Sequence, residues 1–132
     1  MEIHHIGVAV QDLEQAAQPY LMLGYALEAQ GNVESQGVEV WMLKNGHSRL
    51  ELLRATHPGS AIARFIEKRG PGLHHIALAT VDIRAELKRL EGQGTPLIDP
   101  TPRPGFGGHL VAFIHPKWSG GVLVELVEAD SH

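Results

Sequence analysis

Hydrophobic and polar positions along this chain fall into the same pattern twice. The segment His4-His5-Ile6-Gly7-Val8-Ala9-Val10-Gln11-Asp12-Leu13 returns as His74-His75-Ile76-Ala77-Leu78-Ala79-Thr80-Val81-Asp82-Ile83, an offset of 70 residues. The offset persists from Gly24-Tyr25-Ala26-Leu27 to Gly94-Thr95-Pro96-Leu97, and Leu50-Glu51-Leu52-Leu53 matches Val124-Glu125-Leu126-Val127 at an offset of 74. Each copy opens with a short run rich in Val, Ile and Leu, which predicts a strand, and then places Asp12 or Asp82 as the N-cap of a segment with helical spacing. Leu13, Ala16, Ala17 and Tyr20 share one face of the first helix, and Ile83, Leu87 and Leu90 share one face of the second. Gly24 in the first copy, and Gly92 with Gly94 in the second, mark the stops. Pro19 lies inside the first helix and is expected to kink or shorten it.

Three more strands are predicted in each copy, near 25–30, 37–44 and 48–54 and again near 95–99, 109–115 and 121–128, punctuated by Asn45-Gly46 and Gly120-Gly121. Between the copies, Pro58-Gly59-Ser60 followed by AIARFIEKRG predicts a capped connecting helix, with Ile62, Phe65 and Ile66 inward and Gly70 as its stop. The fold class is therefore α+β: a single domain over residues 1–132 made of two βαβββ modules, 1–55 and 72–128, with the connecting helix over 58–70.

Composition narrows the chemistry. A hydrophobic fraction of 43% in 132 residues is enough for one compact core. Eleven Lys and Arg against fifteen Asp and Glu give a net charge of −4, so there is no basic field for a nucleic-acid backbone. With no cysteine, disulfides, thiolate metal sites and cysteine nucleophiles are excluded, and any metal must be held by nitrogen and oxygen. The opening MEIHHIGVAVQDLE has no basic n-region, and no stretch approaches the roughly 20 apolar residues of a membrane span. The expectation is a cytoplasmic protein. Nine histidines are an excess for so short a chain.

Each copy contributes a histidine on its first strand and a glutamate on its last, at the same point of the repeat: His4 or His5 with Glu51, and His74 or His75 with Glu125. Alone, a histidine on an apolar strand is more often a hydrogen-bonded core or surface residue, and a glutamate between leucines is usually the solvent-facing member of an alternating strand. Repetition of both at equivalent points argues instead for one shared metal site. Two imidazoles and two carboxylates suit Co, Mn, Ni, Fe or Zn, and six-coordination would leave two positions for water or substrate. Because strand neighbours point to opposite faces, one member of each His-His pair must face away, and the pattern does not say which. His47, His57 and His132 read as loop or tail residues, and His109 and His115 as rim residues flanking one strand. Gly105-Phe106-Gly107-Gly108 lacks the order of a phosphate-binding fingerprint, and Lys117 reads as a solvated lysine.

HHIGVAVQDLEQA, AIARFIEKRGPGLHHIA, PLIDPTPRPGFGG and VAFIHPKWSGGVLVELVE together resemble the methylmalonyl-CoA epimerase family over nearly the whole chain. The resemblance implies the vicinal-oxygen-chelate, glyoxalase-like fold, with paired βαβββ modules curling into a cup-shaped mixed sheet around a metal. It implies His5, Glu51, His75 and Glu125 as ligands of one divalent ion, cobalt first among Co, Mn, Ni, Zn and Fe. It further implies an acyl-CoA substrate, a homodimer, and interconversion of the (R) and (S) forms of methylmalonyl-CoA through a metal-stabilised enolate; the pseudo-symmetry of the repeat, not the resemblance, makes Glu125 and Glu51 the expected acid/base pair. Some family members carry Gln where Glu51 stands, and Glu there also occurs in glyoxalase I, the alternative enzyme, so this position does not separate the two activities; a non-enzymatic module that sequesters a small ligand is the alternative of another class, and would not need metal ligands. In some epimerases a Glu follows the Gly of the Gln-Gly-Val motif by three residues, and here Gln36-Gly37-Val38 puts Val40 at that place. Glu39, its neighbour, points to the other face unless the strand bulges.

Overall fold

The computed structural model describes residues 1–129. The chain divides into two compact units, His5–His74 and Met1–His4 with His75–His132. In the first unit, β1 (Ile3–Ala9) leads through α1 (Leu13–Met22) to β2 (Ala26–Val33), β3 (Val38–Asn45) and β4 (Ser48–Ala55), and α2 (Ala61–Arg69) follows. The strands lie in the order β2-β3-β4-β1, with β1 parallel to β4 and the other pairs antiparallel. In the second unit, β5 (Gly72–Thr80) leads through α3 (Ile83–Gly92) to β6 (Arg103–Pro104), β7 (Leu110–Ile114) and β8 (Val124–Glu128), in the order β5-β8-β7-β6. The plan is the same, with β5 parallel to β8.

The caps explain where the helices start. Asp12 accepts from the Gln15 N–H at 2.9 Å, Asp82 from the Ala85 N–H at 3.1 Å, and Ser60 from the Ala63 N–H at 3.1 Å. Each helix buries the face its spacing predicts: Leu13 and Ala17 pack with Val8, Val10, Leu43 and Leu52, while Ile83, Leu87 and Leu90 pack with Ala112, Ile114 and Leu126. Pro19 does not shorten α1, which has ten residues like α3. Proline's fixed φ is helical, so inside the helix it forfeits one N–H donor, and the Leu23 N–H still reaches the Pro19 carbonyl at 3.1 Å.

The second module departs from the predicted plan at 95–99. No strand forms there; the segment makes one isolated bridge, Leu97 with Ile114, and pairing resumes only at Arg103–Pro104. Pro96, Pro100, Pro102 and Pro104 have no N–H to give a ladder. The Asp99 carboxylate substitutes, accepting the Phe113 N–H at 2.9 Å, while the Ile98 and Asp99 N–H groups donate to the Phe113 carbonyl. Among the described residues, no helix is long and apolar enough to cross a membrane.

Candidate functional site

The ladders decide which histidine of each pair faces the glutamate. In the first unit Gly7 lies beside Glu51 in the β1–β4 register, so His5, two residues earlier, projects from the same face as the carboxylate. In the second unit Ala77 lies beside Glu125, and His75 stands two residues earlier on that face. Two parallel ladders thus repeat one arrangement. His5 Nε2 is 3.4 Å from Glu51 Oε1, and His75 Nε2 is 3.4 Å from Glu125 Oε1.

All four side chains are withdrawn from water, with relative exposures of 3% and 4% for His5 and His75 and 6% for each glutamate. Burying a carboxylate costs several kcal/mol unless a cation or hydrogen bonds compensate. Each 3.4 Å separation sets an imidazole nitrogen beside a carboxylate oxygen within ion-pair distance. His5, His75 and Glu125 each offer one buried nitrogen or oxygen to a cation. A set of imidazole and carboxylate donors with no sulfur fits a borderline or hard divalent ion.

The other histidines stand elsewhere. His74 meets the Phe65 ring of α2 edge-on at 5.0 Å, on the face of β5 opposite His75. His47 and His57 are exposed, and His57 accepts the Gly59 N–H at 3.2 Å. His109 and His115 flank β7 and are exposed; His109 Nδ1 lies 3.3 Å from the Glu128 carbonyl, and His115 Nδ1 accepts the Lys117 N–H. Lys117 is exposed. His132 lies outside the described residues.

Around the first pair, Met42 faces Glu51 across the β3–β4 ladder, so Val40 shares the carboxylate's face and is buried at 1% exposure. The register runs unbroken from Val38–Ala55 to Asn45–Ser48, so no bulge turns Glu39 toward that face. Glu39 instead accepts from Arg54, its cross-strand partner, at 2.6 and 3.1 Å.

Around the second pair, Phe113 faces Glu125 across the β7–β8 ladder. Its ring stands nearly perpendicular to the His75 imidazole at 6.0 Å. Neither Phe113 nor its neighbour Arg103 stands out in the sequence, because Phe113 matches Met42 only through the ladders and neither repeat offset, 70 or 74, aligns the two.

The chain matches the Glyoxalase/Bleomycin resistance protein/Dioxygenase superfamily over residues 4–113. It is 41% identical to the Bacillus subtilis protein YqjC over 98% of this chain and 95% of that one. The ethylmalonyl-CoA/methylmalonyl-CoA epimerase of Cereibacter sphaeroides is 38% identical over 94% of this chain and 95% of its own length. A variant of Streptomyces coelicolor methylmalonyl-CoA epimerase, solved in complex with 2-nitronate-propionyl-CoA, superposes with a TM-score of 0.92 at 36% identity, covering 99% of this chain and 96% of that one.

Proposed function

Because the chain belongs to the glyoxalase/bleomycin resistance protein/dioxygenase superfamily, with the vicinal-oxygen-chelate fold, and is similar over nearly its whole length to methylmalonyl-CoA epimerases, we propose that it is a methylmalonyl-CoA epimerase. The observation that carries the chemistry is the pair of buried His–Glu sets, His5–Glu51 and His75–Glu125, at equivalent points of two parallel ladders. The epimerase reading draws on similarity along nearly the whole chain, so glyoxalase I is not favoured.

His5, Glu51, His75 and Glu125 would hold one divalent ion, cobalt first among Co, Mn, Ni, Zn and Fe. Bound there, it would supply Lewis-acid stabilisation of the negative charge that develops beside the reacting carbon, a contribution of several kcal/mol. The reacting proton sits on a carbon between a thioester and a carboxylate. Inverting that carbon requires one group to take the proton and another to return it to the opposite face. Glu125 takes one part and Glu51 the other; they are the repeat's two equivalent buried carboxylates, and their low exposure keeps competing water away. Glu39, bonded to Arg54 on the opposite face of β3, is given no part in this reading. A homodimer would give cover to Met22 and Leu23 at the end of α1, which are 86% and 70% exposed.

The test is proton NMR in deuterated water with methylmalonyl-CoA and metal-loaded protein. Loss of the α-proton signal is the expected result; an unchanged signal with loaded protein overturns the reading.

A further inference from the structure

Beside the His75–Glu125 pair, the second unit carries a guanidinium that this chemistry does not use. Arg103 lies on β6, two strands from Glu125. Its guanidinium carbon stands 5.6 Å from the centroid of the Phe113 ring, and that ring contacts His75 at 6.0 Å. The two steps cannot place the charge more than about 12 Å from the His75 imidazole.

Asp99 locks this arrangement. One of its carboxylate oxygens accepts the Phe113 N–H at 2.9 Å, and the other lies 3.5 Å from Arg103 Nε. Gly105 lets β6 turn tightly into β7, since a Cβ there would come within 2.8 Å of Val111. The Arg103 side chain is nonetheless 44% exposed, and its ion pair with Asp99 is made through Nε. A planar guanidinium held over an aromatic ring, in a side chain that stays 44% exposed, suits bidentate recognition of an oxyanion.

We infer that Arg103 is a substrate-specificity residue that binds an oxyanion of the acyl-CoA, either the free carboxylate of the acyl group or a phosphate of the carrier arm. The inference rests on the epimerase reading for its substrate. Asp99 and Phe113 orient Arg103 and do not touch the substrate themselves. The role demands a charge but no proton transfer, so its loss weakens binding and leaves the chemical step in place.

The experiment compares wild type, Arg103→Gln and Arg103→Lys on methylmalonyl-CoA and on methylmalonyl-pantetheine, which keeps the acyl carboxylate and lacks the phosphates. Calorimetry with malonyl-CoA reads binding independently of turnover. Arg103→Gln should raise KM for methylmalonyl-CoA, and Kd for malonyl-CoA, by about tenfold to a hundredfold, the usual worth of a charge-assisted pair, with kcat within about threefold and partial recovery in Arg103→Lys. If KM for the pantetheine thioester rises equally, the acyl carboxylate is the bound group; if it stays unchanged, a phosphate is. A Gln variant that keeps its wild-type melting temperature and binds both thioesters normally overturns the inference. Wild-type protein that binds malonyl-CoA without exchanging the proton of methylmalonyl-CoA would refute the epimerase reading alone, and the calorimetric comparison would still decide the role of Arg103. Wild type that neither binds nor turns over an acyl-CoA overturns both.

Discussion

Arg54 donates to the Glu39 carboxylate through two nitrogens, Nη2 at 2.6 Å and Nε at 3.1 Å, from directly across the β3–β4 ladder. This pair occupies the face of β3 away from Val40 and the His5–Glu51 set. Both side chains are over 30% exposed, so the pair contributes about 0.5 kcal/mol to stability. Glu39→Gln should therefore keep metal content and α-proton exchange at wild-type level. Elemental analysis together with the NMR exchange rate checks this.

Metal retention should separate the histidines into two groups. Gently purified protein should carry about one divalent ion per chain. His5→Ala or His75→Ala should abolish retention, whereas His47→Ala and His57→Ala, on exposed side chains, should not. A metal-free preparation with full activity, or equal losses from all four substitutions, would refute the ligand assignment.

Gly37 closes the loop into β3 at φ +65°, and the His57 ring lies against its α-carbon so closely that a Cβ would collide with the imidazole. Gly37→Ala should thus destabilise the protein by about 1–3 kcal/mol, from the left-handed backbone and the clash together. Adding His57→Ala should relieve the clash and leave the backbone part. Denaturant unfolding of the two single variants and the double variant gives the coupling directly. Additive losses would mean that His57 moves aside at no cost.

How far the sequence could be read depended on which contacts were local. The repeat exposed both modules, because a Leu or Ile at helical spacing and an Asp N-cap act within a few residues, and Asp12 and Asp82 cap as their positions require. At 95–99 the apolar Pro96-Leu97-Ile98 imitates a strand, but the prolines remove donors and Asp99 takes over the bond to Phe113. The apolar pattern alone did not choose His5 over His4, since both lie among apolar residues; the resemblance implied His5, and the pairing of Gly7 with Glu51 puts His5 on the glutamate's face. Arg103 could not be seen at all, since it meets Phe113 only after the chain turns through Gly105.

Substrate preference offers a separate check on the function. A metal-loaded preparation should show a far higher kcat/KM for methylmalonyl-CoA than for the hemithioacetal of glutathione. The same ligand set would serve enolate chemistry on either, so the comparison isolates substrate recognition from metal chemistry. A clear preference for the glutathione adduct would assign the chain to the glyoxalase I activity.

Glu125 is the sharpest place to test the proton path, because Val40 leaves Glu51 and Glu125 as the two equivalent carboxylates of the repeat, each buried at 6% exposure. Glu125→Gln keeps a polar oxygen beside His75 while removing a basic one. If Glu125 carries the proton on one face, kcat should fall by about 10²–10⁴, the usual worth of a positioned general base. A ligand substitution also lowers activity by losing metal, so the rate must be normalised to protein with measured metal content, and exchange must be followed separately from each epimer. Glu51 remains intact in this variant. The substitution should therefore abolish exchange from one epimer and spare it from the other, a one-sided loss that metal depletion, which acts on both, does not produce. Equal loss from both epimers in loaded protein would make Glu125 a ligand alone. Wild-type exchange from both epimers, with exchange lost instead in Glu39→Gln, would overturn the strand register on which the assignment stands.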